Sequence, residues 1–239
     1  MEGSTPGPVG LAALSPLARR WIWALPVWGL LLGLSTLTHQ PSYDTDFPGY
    51  ADYITTDRFL ISHLGASILG AGLGIIGAVA LLVLLAETPA VRIAFWGLLA
   101  FIIGQVLNTA VFGVAAFFQP AIGDAFLDGQ QAVARTVNED VYGPTLFATV
   151  GVGLVLWIFG LVQLGRAMRR SGEIPGWAGL AFAIAAPLFA IAGFLLEPLQ
   201  PVAGFVLAAS AAVAASRLSG RGEAPAPDEP RLAELSPPS

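Results

Sequence analysis

Cysteine and lysine are both missing from this chain of 239 residues, and only 11% of it is charged. Without cysteine there is no disulfide, no thiolate metal ligand and no cysteine nucleophile. With lysine absent, every cationic side chain is an arginine. Beside abundant alanine and glycine, this matches the coding bias of a GC-rich bacterial genome and carries no functional meaning. Histidine occurs only twice, so no helix carries the spaced histidines of a two-haem bundle. Soluble domains hold about 25% charged residues, a level this composition does not approach.

What the chain does have is apolar length. Hydrophobic residues make up 55% of it and gather in six stretches, 21–38, 59–86, 91–118, 142–164, 177–196 and 202–218. About 20 helical residues cross the ~30 Å hydrocarbon core, where the backbone must satisfy its own hydrogen bonds. The expected fold class is therefore all-α, a polytopic transmembrane helical bundle of six spans. Residues 19–218 form the membrane domain, with disordered ends at 1–18 and 219–239, the latter rich in Pro, Ala and Glu.

The connecting pieces are too short for a soluble catalytic domain, which needs about 50 residues. No GxSxG, HExxH, pair of intramembrane aspartates or phosphate-cradling glycine loop is present. No catalytic residue, metal site or cofactor is assigned, and the reading leans away from an enzyme. The scattered arginines do not suit nucleic acid. The expected partners are the lipid bilayer and, beyond it, a second copy or another membrane protein.

Charge sets the orientation. Arg19, Arg20, Arg92, Arg166, Arg169, Arg170, Arg217, Arg221 and Arg231 fall on one side of the six spans, and Arg58 and Arg135 on the other. The positive-inside rule then places both termini in the cytoplasm of a bacterial cell, with the protein in the plasma membrane. The first stretch lacks a small-x-small cleavage site and reads as a retained anchor. All four tyrosines, Tyr43, Tyr50, Tyr53 and Tyr142, fall on the outer side. So do nine carboxylates, including Asp44, Asp46, Asp52, Asp57, Asp124, Asp128 and Glu197.

Two outer loops carry helical patterns. Phe47, Tyr50, Ala51 and Ile54 make one apolar face, started by Asp46 and Pro48. Ile122, Phe126, Val133 and Val137 make the second, with a break expected at Gly129. Both are expected as short interfacial helices, apolar side toward lipid or the bundle top.

Because lipid is as apolar as leucine, small residues rather than large ones locate the helix contacts. Ala66, Gly70, Gly74 and Ala78 form one stripe. Gly179, Ala183, Ala186, Ala190 and Gly193 form a second, and Gly204, Ala208, Ala211 and Ala215 a third. His63 shares the first stripe and Glu197 extends the second. Gln105 and Asn108 cluster on one side of the third span, and Thr149 leads into Gly153 on the fourth. From the helical rise, His63 and Asn108 lie at similar depth, with Gln105 a turn deeper.

His63, Gln105, Asn108, Thr149 and Glu197 are thus the candidate ligand-binding residues, gathered around an outer-half cavity. The expected function is binding or passage of a small solute or cation, since buried ionisable and amide groups in spans are costly. The alternatives are an accessory or assembly protein without a transport path, and a haem-binding redox protein using His39 and His63. The amides also have a plain packing use, hydrogen-bonding a neighbouring helix.

Overall fold

The computed structural model describes residues 11–220; of the ends expected to lack order, 1–18 and 219–239, positions 1–10 and 221–239 lie outside the described residues, whereas 11–18 and Ser219 are helical. Every regular element among the described residues is helical. A single 3-10 turn, Leu11–Leu14, leads into α1 (Ser15–Trp21) and α2 (Ala24–Ser35). α3 (Phe47–Ile54) begins where the Asp46 carboxylate accepts the Gly49 amide at 3.0 Å. α4 (Asp57–Ile61), capped by Thr56, runs without a break through a π-helical stretch, Ser62–Leu69, into α5 (Gly70–Leu84). There follow α6 (Val91–Leu127), α7 (Gln131–Val141), α8 (Pro144–Arg170), α9 (Gly176–Leu195) and α10 (Leu199–Ser219).

Five of these helices are long and apolar enough to cross a membrane: Asp57–Leu84, Val91–Leu127, Pro144–Arg170, Gly176–Gly193 and Leu199–Ser219. The first expected span, 21–38, differs. Its main helix, α2, has 12 residues, about 18 Å of rise. The chain turns at Ile22 and Trp23, four and three residues ahead of Pro26. A proline ring collides with the carbonyl four residues back and offers it no N–H, so the ladder breaks there. α1 supplies the remaining length as a separate piece.

Six helices close into a ring in the order α2, α5, α6, α8, α9, α10, and back to α2. Glycines make the seams. A methyl group on Gly204 would lie 2.6 Å from the Gly33 backbone, and one on Gly29 2.7 Å from that of Ala208. Gly165 and Gly179 meet in the same way between α8 and α9, and Gly74 lies under the Trp28 ring between α5 and α2. All three small-residue stripes lie on such contacts. The α6–α8 seam uses a spacing the stripes did not show: Gly104 abuts Trp157, and Gly160 abuts Phe101. Each seam pairs antiparallel neighbours. Arg19, Arg92, Arg166, Arg169, Arg170 and Arg217 therefore share one end of the ring, and Asp57, Arg58 and Glu197 the other.

The Asp57 end bears a cap. α6 has 37 residues, about 55 Å, well beyond a ~30 Å core. It continues through Pro120, so Ile122 and Phe126 belong to α6 and not to a separate loop helix. The break expected at Gly129 is present, with φ +88°. α7 then buries Ala134 and Asn138, while Val133 and Val137 stay exposed. The physical reason is that Ile122 and Phe126 continue the register of α6, which removes them from the apolar face of α7. Phe47, Tyr50, Ala51 and Ile54 are all buried, packed on Ile122, Phe126 and Ala134 in a small core of their own. The Arg135 guanidinium lies 4.4 Å from the Phe47 ring centre.

Polar groups are spliced into this cap. The Tyr50 hydroxyl donates to Asn138 Oδ1 at 3.2 Å, and the Gln119 amide donates to the Tyr142 hydroxyl. Burial pushes the Tyr142 phenol up to about 12, against the hydrogen bonds of Gln119 and Tyr50, which pull it down. Burial and the adjacent Tyr142 push Tyr50 upward too.

Two predictions follow from the seams and the cap. Gly160→Val drives a side chain into the Phe101 backbone and should lower stability by about 1–3 kcal/mol or more, read as thermal unfolding in detergent. Gly151→Ala, on the same helix with nothing within 4 Å of the new methyl, should cause no loss. In the cap, a tyrosine that ionises near 10 when unfolded and near 12 when folded makes the folded state the weaker acid. That stability is intact below pH ~10 and falls as pH rises toward 12. A tyrosinate absorbance titration should show a component near pH 12 that Tyr142→Phe removes, with Tyr50 left to titrate late on its own.

Candidate functional site

At the centre of the ring lies a cavity of 230 Å³ lined by α2, α6, α8, α9, α10 and the π-helical stretch that precedes α5. Leu32 comes from α2, Ser67 from the π-helical stretch, and Gln105, Asn108 and Phe112 from α6. Leu154 and Trp157 come from α8, Phe189 and Gly193 from α9, and Gln200 from α10. The volume is below the ~300 Å³ at which pockets for drug-sized ligands begin. The lining is apolar apart from three amides, a serine hydroxyl and the indole N–H.

An aromatic plug forms the floor. Trp28 meets Phe101 edge-on at 5.3 Å and Trp157 at 6.1 Å, and Trp157 meets Phe189 at 6.1 Å. Trp28, Phe101 and Trp157 are all buried. Below them, toward the arginine-rich end, Ile22, Leu25, Leu81, Leu85, Leu161 and Leu164 pack as a dry core. The cavity therefore belongs to the Asp57 half of the ring.

Two candidate residues share it. Gln105 is 4% exposed, and its Oε1 accepts the Trp157 indole N–H at 2.9 Å. This bond fixes the amide and ties the floor to the wall. Asn108, one turn higher, makes no side-chain hydrogen bond among the described residues. Its Oδ1 sits so near Gly153 that any Cβ there would come within 2.6 Å of it. Gly153 is thus the clearance that lets the amide stand in the cavity.

The other three stand elsewhere. Nδ1 of His63 donates to the Phe59 carbonyl at 3.0 Å, and its ring lies 4.1 Å from Phe59 and 6.2 Å from Phe112. His63 is therefore behind Phe112, one layer outside the cavity. Thr149 donates to the Thr145 carbonyl at 2.9 Å, a local helical bond, and does not line the cavity. Glu197 lies in a second, neighbouring hollow of 380 Å³ between the end of α2 and the α9–α10 turn. There its Oε2 pairs with His39 Nδ1 at 2.7 Å, with both side chains more than half exposed.

Gln200 escaped the sequence reading. It lines both hollows, and its side chain covers Gly193, where a Cβ would come 2.5 Å from Nε2. Gln200 and Gly193 thus form the partition between the central cavity and the His39–Glu197 vestibule. A signal was available: Gly193 closes the second stripe seven residues before Gln200, across a Pro198 turn. Placing Gln200 against Gly193 required knowing how tightly α9 and α10 fold back.

Neither the known protein families, nor the characterised proteins, nor the solved structures include a match to this chain. The site must therefore be read from its own chemistry. Among the described residues, no group of three or more His, Asp or Glu side chains converges as a metal cage.

The two amides should respond to truncation in opposite ways. Gln105→Leu strands the Trp157 N–H and should cost about 1–3 kcal/mol. Asn108→Leu removes a half-buried amide that has no protein partner and should leave stability unchanged or raise it by up to about 1 kcal/mol. Equal losses from both, measured by thermal unfolding, would mark Asn108 as a structural bond rather than a group held for a ligand.

Proposed function

We propose that this is a non-enzymatic six-span plasma-membrane protein of a bacterium, with both termini cytoplasmic, that binds a small neutral solute in the central cavity. One observation carries this reading: Asn108 stands in a largely apolar chamber of 230 Å³ with its amide unused by the protein. The amide is half-buried and has no protein partner, so its donors and acceptor are free to hydrogen-bond an occupant of the chamber. The three amides offer donors and acceptors but no net charge, which favours a neutral polar solute over a bare cation. The His39–Glu197 vestibule, parted from the chamber by Gln200, is the natural entrance. Passage to the arginine-rich side would require Trp28 and Trp157 to move, so binding from one side is the better-supported activity.

The sixth crossing rests on packing. α2 runs antiparallel to α10 at Gly33–Gly204 and Gly29–Ala208, and Ala18 and Ile22 continue into the same dry core as Leu218. Together α1 and α2 thus accompany the whole of α10. The orientation follows the arginines gathered at one end. An accessory role through exposed helix faces is less favoured, because the three small-residue stripes are used up inside the chain. A haem reading gains nothing from the histidines, since His39 is held by Glu197 and His63 by its own backbone.

The natural lack of cysteine makes the test direct. Asn108→Cys, the sole thiol, should react in intact cells with a membrane-impermeant methanethiosulfonate added outside. Ala94→Cys, in the dry core below the plug, should not. The reading is lost if Asn108→Cys stays unreactive from outside, or reacts only when reagent reaches the cytoplasmic face.

A further inference from the structure

A third, larger hollow of 680 Å³ opens on the flank of the ring between α2 and the π-helical stretch. Its walls are Leu31, Leu34 and Leu37 on one side and Ile61, Gly65 and Leu69 on the other. Leu37, Ile61 and Leu69 are 58%, 70% and 64% exposed, so the surface left uncovered here is apolar. Small residues create the hollow. Ser62, Gly65 and Ala66 face α2 where bulky ones would close it, and a Cβ built on Gly65 meets nothing within 4 Å. The wider turn of a π-helix adds to the separation.

Arg58 stands at its rim. Among the described residues it makes no ion pair and no hydrogen bond, although its end of the ring is rich in carboxylates. The other cation at that end, Arg135, is taken up by the Phe47 and Phe126 rings at 4.4 and 5.5 Å. An exposed guanidinium above an apolar furrow is a matched pair of surfaces for one class of molecule. From Arg58 to Leu69 the helix descends about 16 Å, close to half of a ~30 Å hydrocarbon core. The furrow thus spans one leaflet, from headgroup level to the midplane.

We propose that this furrow binds an anionic phospholipid of the leaflet at the Arg58 end, one acyl chain lying over Gly65 and the headgroup phosphate taken by Arg58. Guanidinium presents paired donors that fit phosphate oxygens. This site does not depend on the central cavity, from which the π-helical stretch and α2 separate it: Ser67 and Leu32 face the cavity, Gly65 and Leu31 the furrow. A second apolar furrow, between α1 and α5 and lined by Leu17, Ile75, Ile76 and Val79, has no cation in its lining and serves as the comparison.

The full chain, reconstituted in phosphatidylcholine vesicles, is photolabelled with trace phosphatidylglycerol or phosphatidylcholine bearing a diazirine in the acyl chain. Adducts are mapped by mass spectrometry. Phosphatidylglycerol adducts should concentrate on 31–37 and 61–69, exceeding phosphatidylcholine adducts there by about fivefold, the attraction of one arginine for an anionic surface. Arg58→Gln should bring that ratio to about one. Gly65→Phe, whose Cβ would meet nothing within 4 Å and whose ring would occupy the furrow, should remove most adducts of both lipids from it. Labelling at 75–83 should be the same in all three proteins, which also reports that the variants are folded. Adducts no denser on 31–37 and 61–69 than on 75–83 would overturn the proposal, as would a lipid ratio indifferent to Arg58→Gln.

Discussion

Close approach of backbone to backbone holds this molecule together. Inside a bilayer, burying leucine against leucine gains little over leucine against lipid, so stability depends on packing density at the contacts. At Gly33–Gly204, Gly104–Trp157, Gly160–Phe101 and Gly165–Gly179 the helices come nearer than any side chain would permit. The α2–α10 contact has the largest consequence, because it turns a row of antiparallel helices into a closed ring. A closed ring has an interior, and only an interior can hold amide groups away from lipid. Cavity, floor and partition are therefore all products of the glycine seams.

Within the ring the two halves differ in what fills them. Toward the arginines, alanine and leucine pack without gaps. Toward the cap, three amides replace aliphatic side chains and a chamber remains. Trp28 and Trp157 mark the change, large rings that seal the dry half while Trp157 anchors Gln105. Hydrogen bonding in such a low-dielectric setting is strong when made and costly when missed. That contrast separates Gln105, whose oxygen accepts the indole, from Asn108, whose amide has no partner among the described residues.

The cap solves a different problem. Carrying α6 some turns past the apolar core exposes Ile122 and Phe126, and α3 and α7 cover them with Phe47, Tyr50, Ile54 and Ala134. Tyr50 bonds Asn138 and the Gln119 amide nitrogen bonds Tyr142 around that small core, while Gln119 Oε1 is buried without a partner. The acidic loops are thereby anchored on the far end of α6 instead of lying loose in the interface. On the flank, the π-helical stretch is a wall with two faces, a serine toward the chamber and glycine and leucine toward lipid.

Composition alone decided that the chain would be helical and rich in apolar spans, because a bilayer leaves the backbone few other options. Spacing of small residues decided which faces of α5, α9 and α10 would touch, since glycine and alanine alone permit such approach. The helix start at Asp46 and the break at Gly129 were equally local and equally legible. Three things needed the assembled fold. Pro26 split the first stretch while Pro120 and Pro187 did not interrupt α6 and α9. Ile122 and Phe126 continued α6 because α3 offered them cover. Above all, depth along a helix placed His63 level with Asn108 but said nothing of the angle around the ring. Phe112 stands between them, and Gln200, distant in sequence from both amides, closes the chamber. Rise per residue is a property of the chain, whereas the direction a side chain faces within a ring is fixed only by its neighbours.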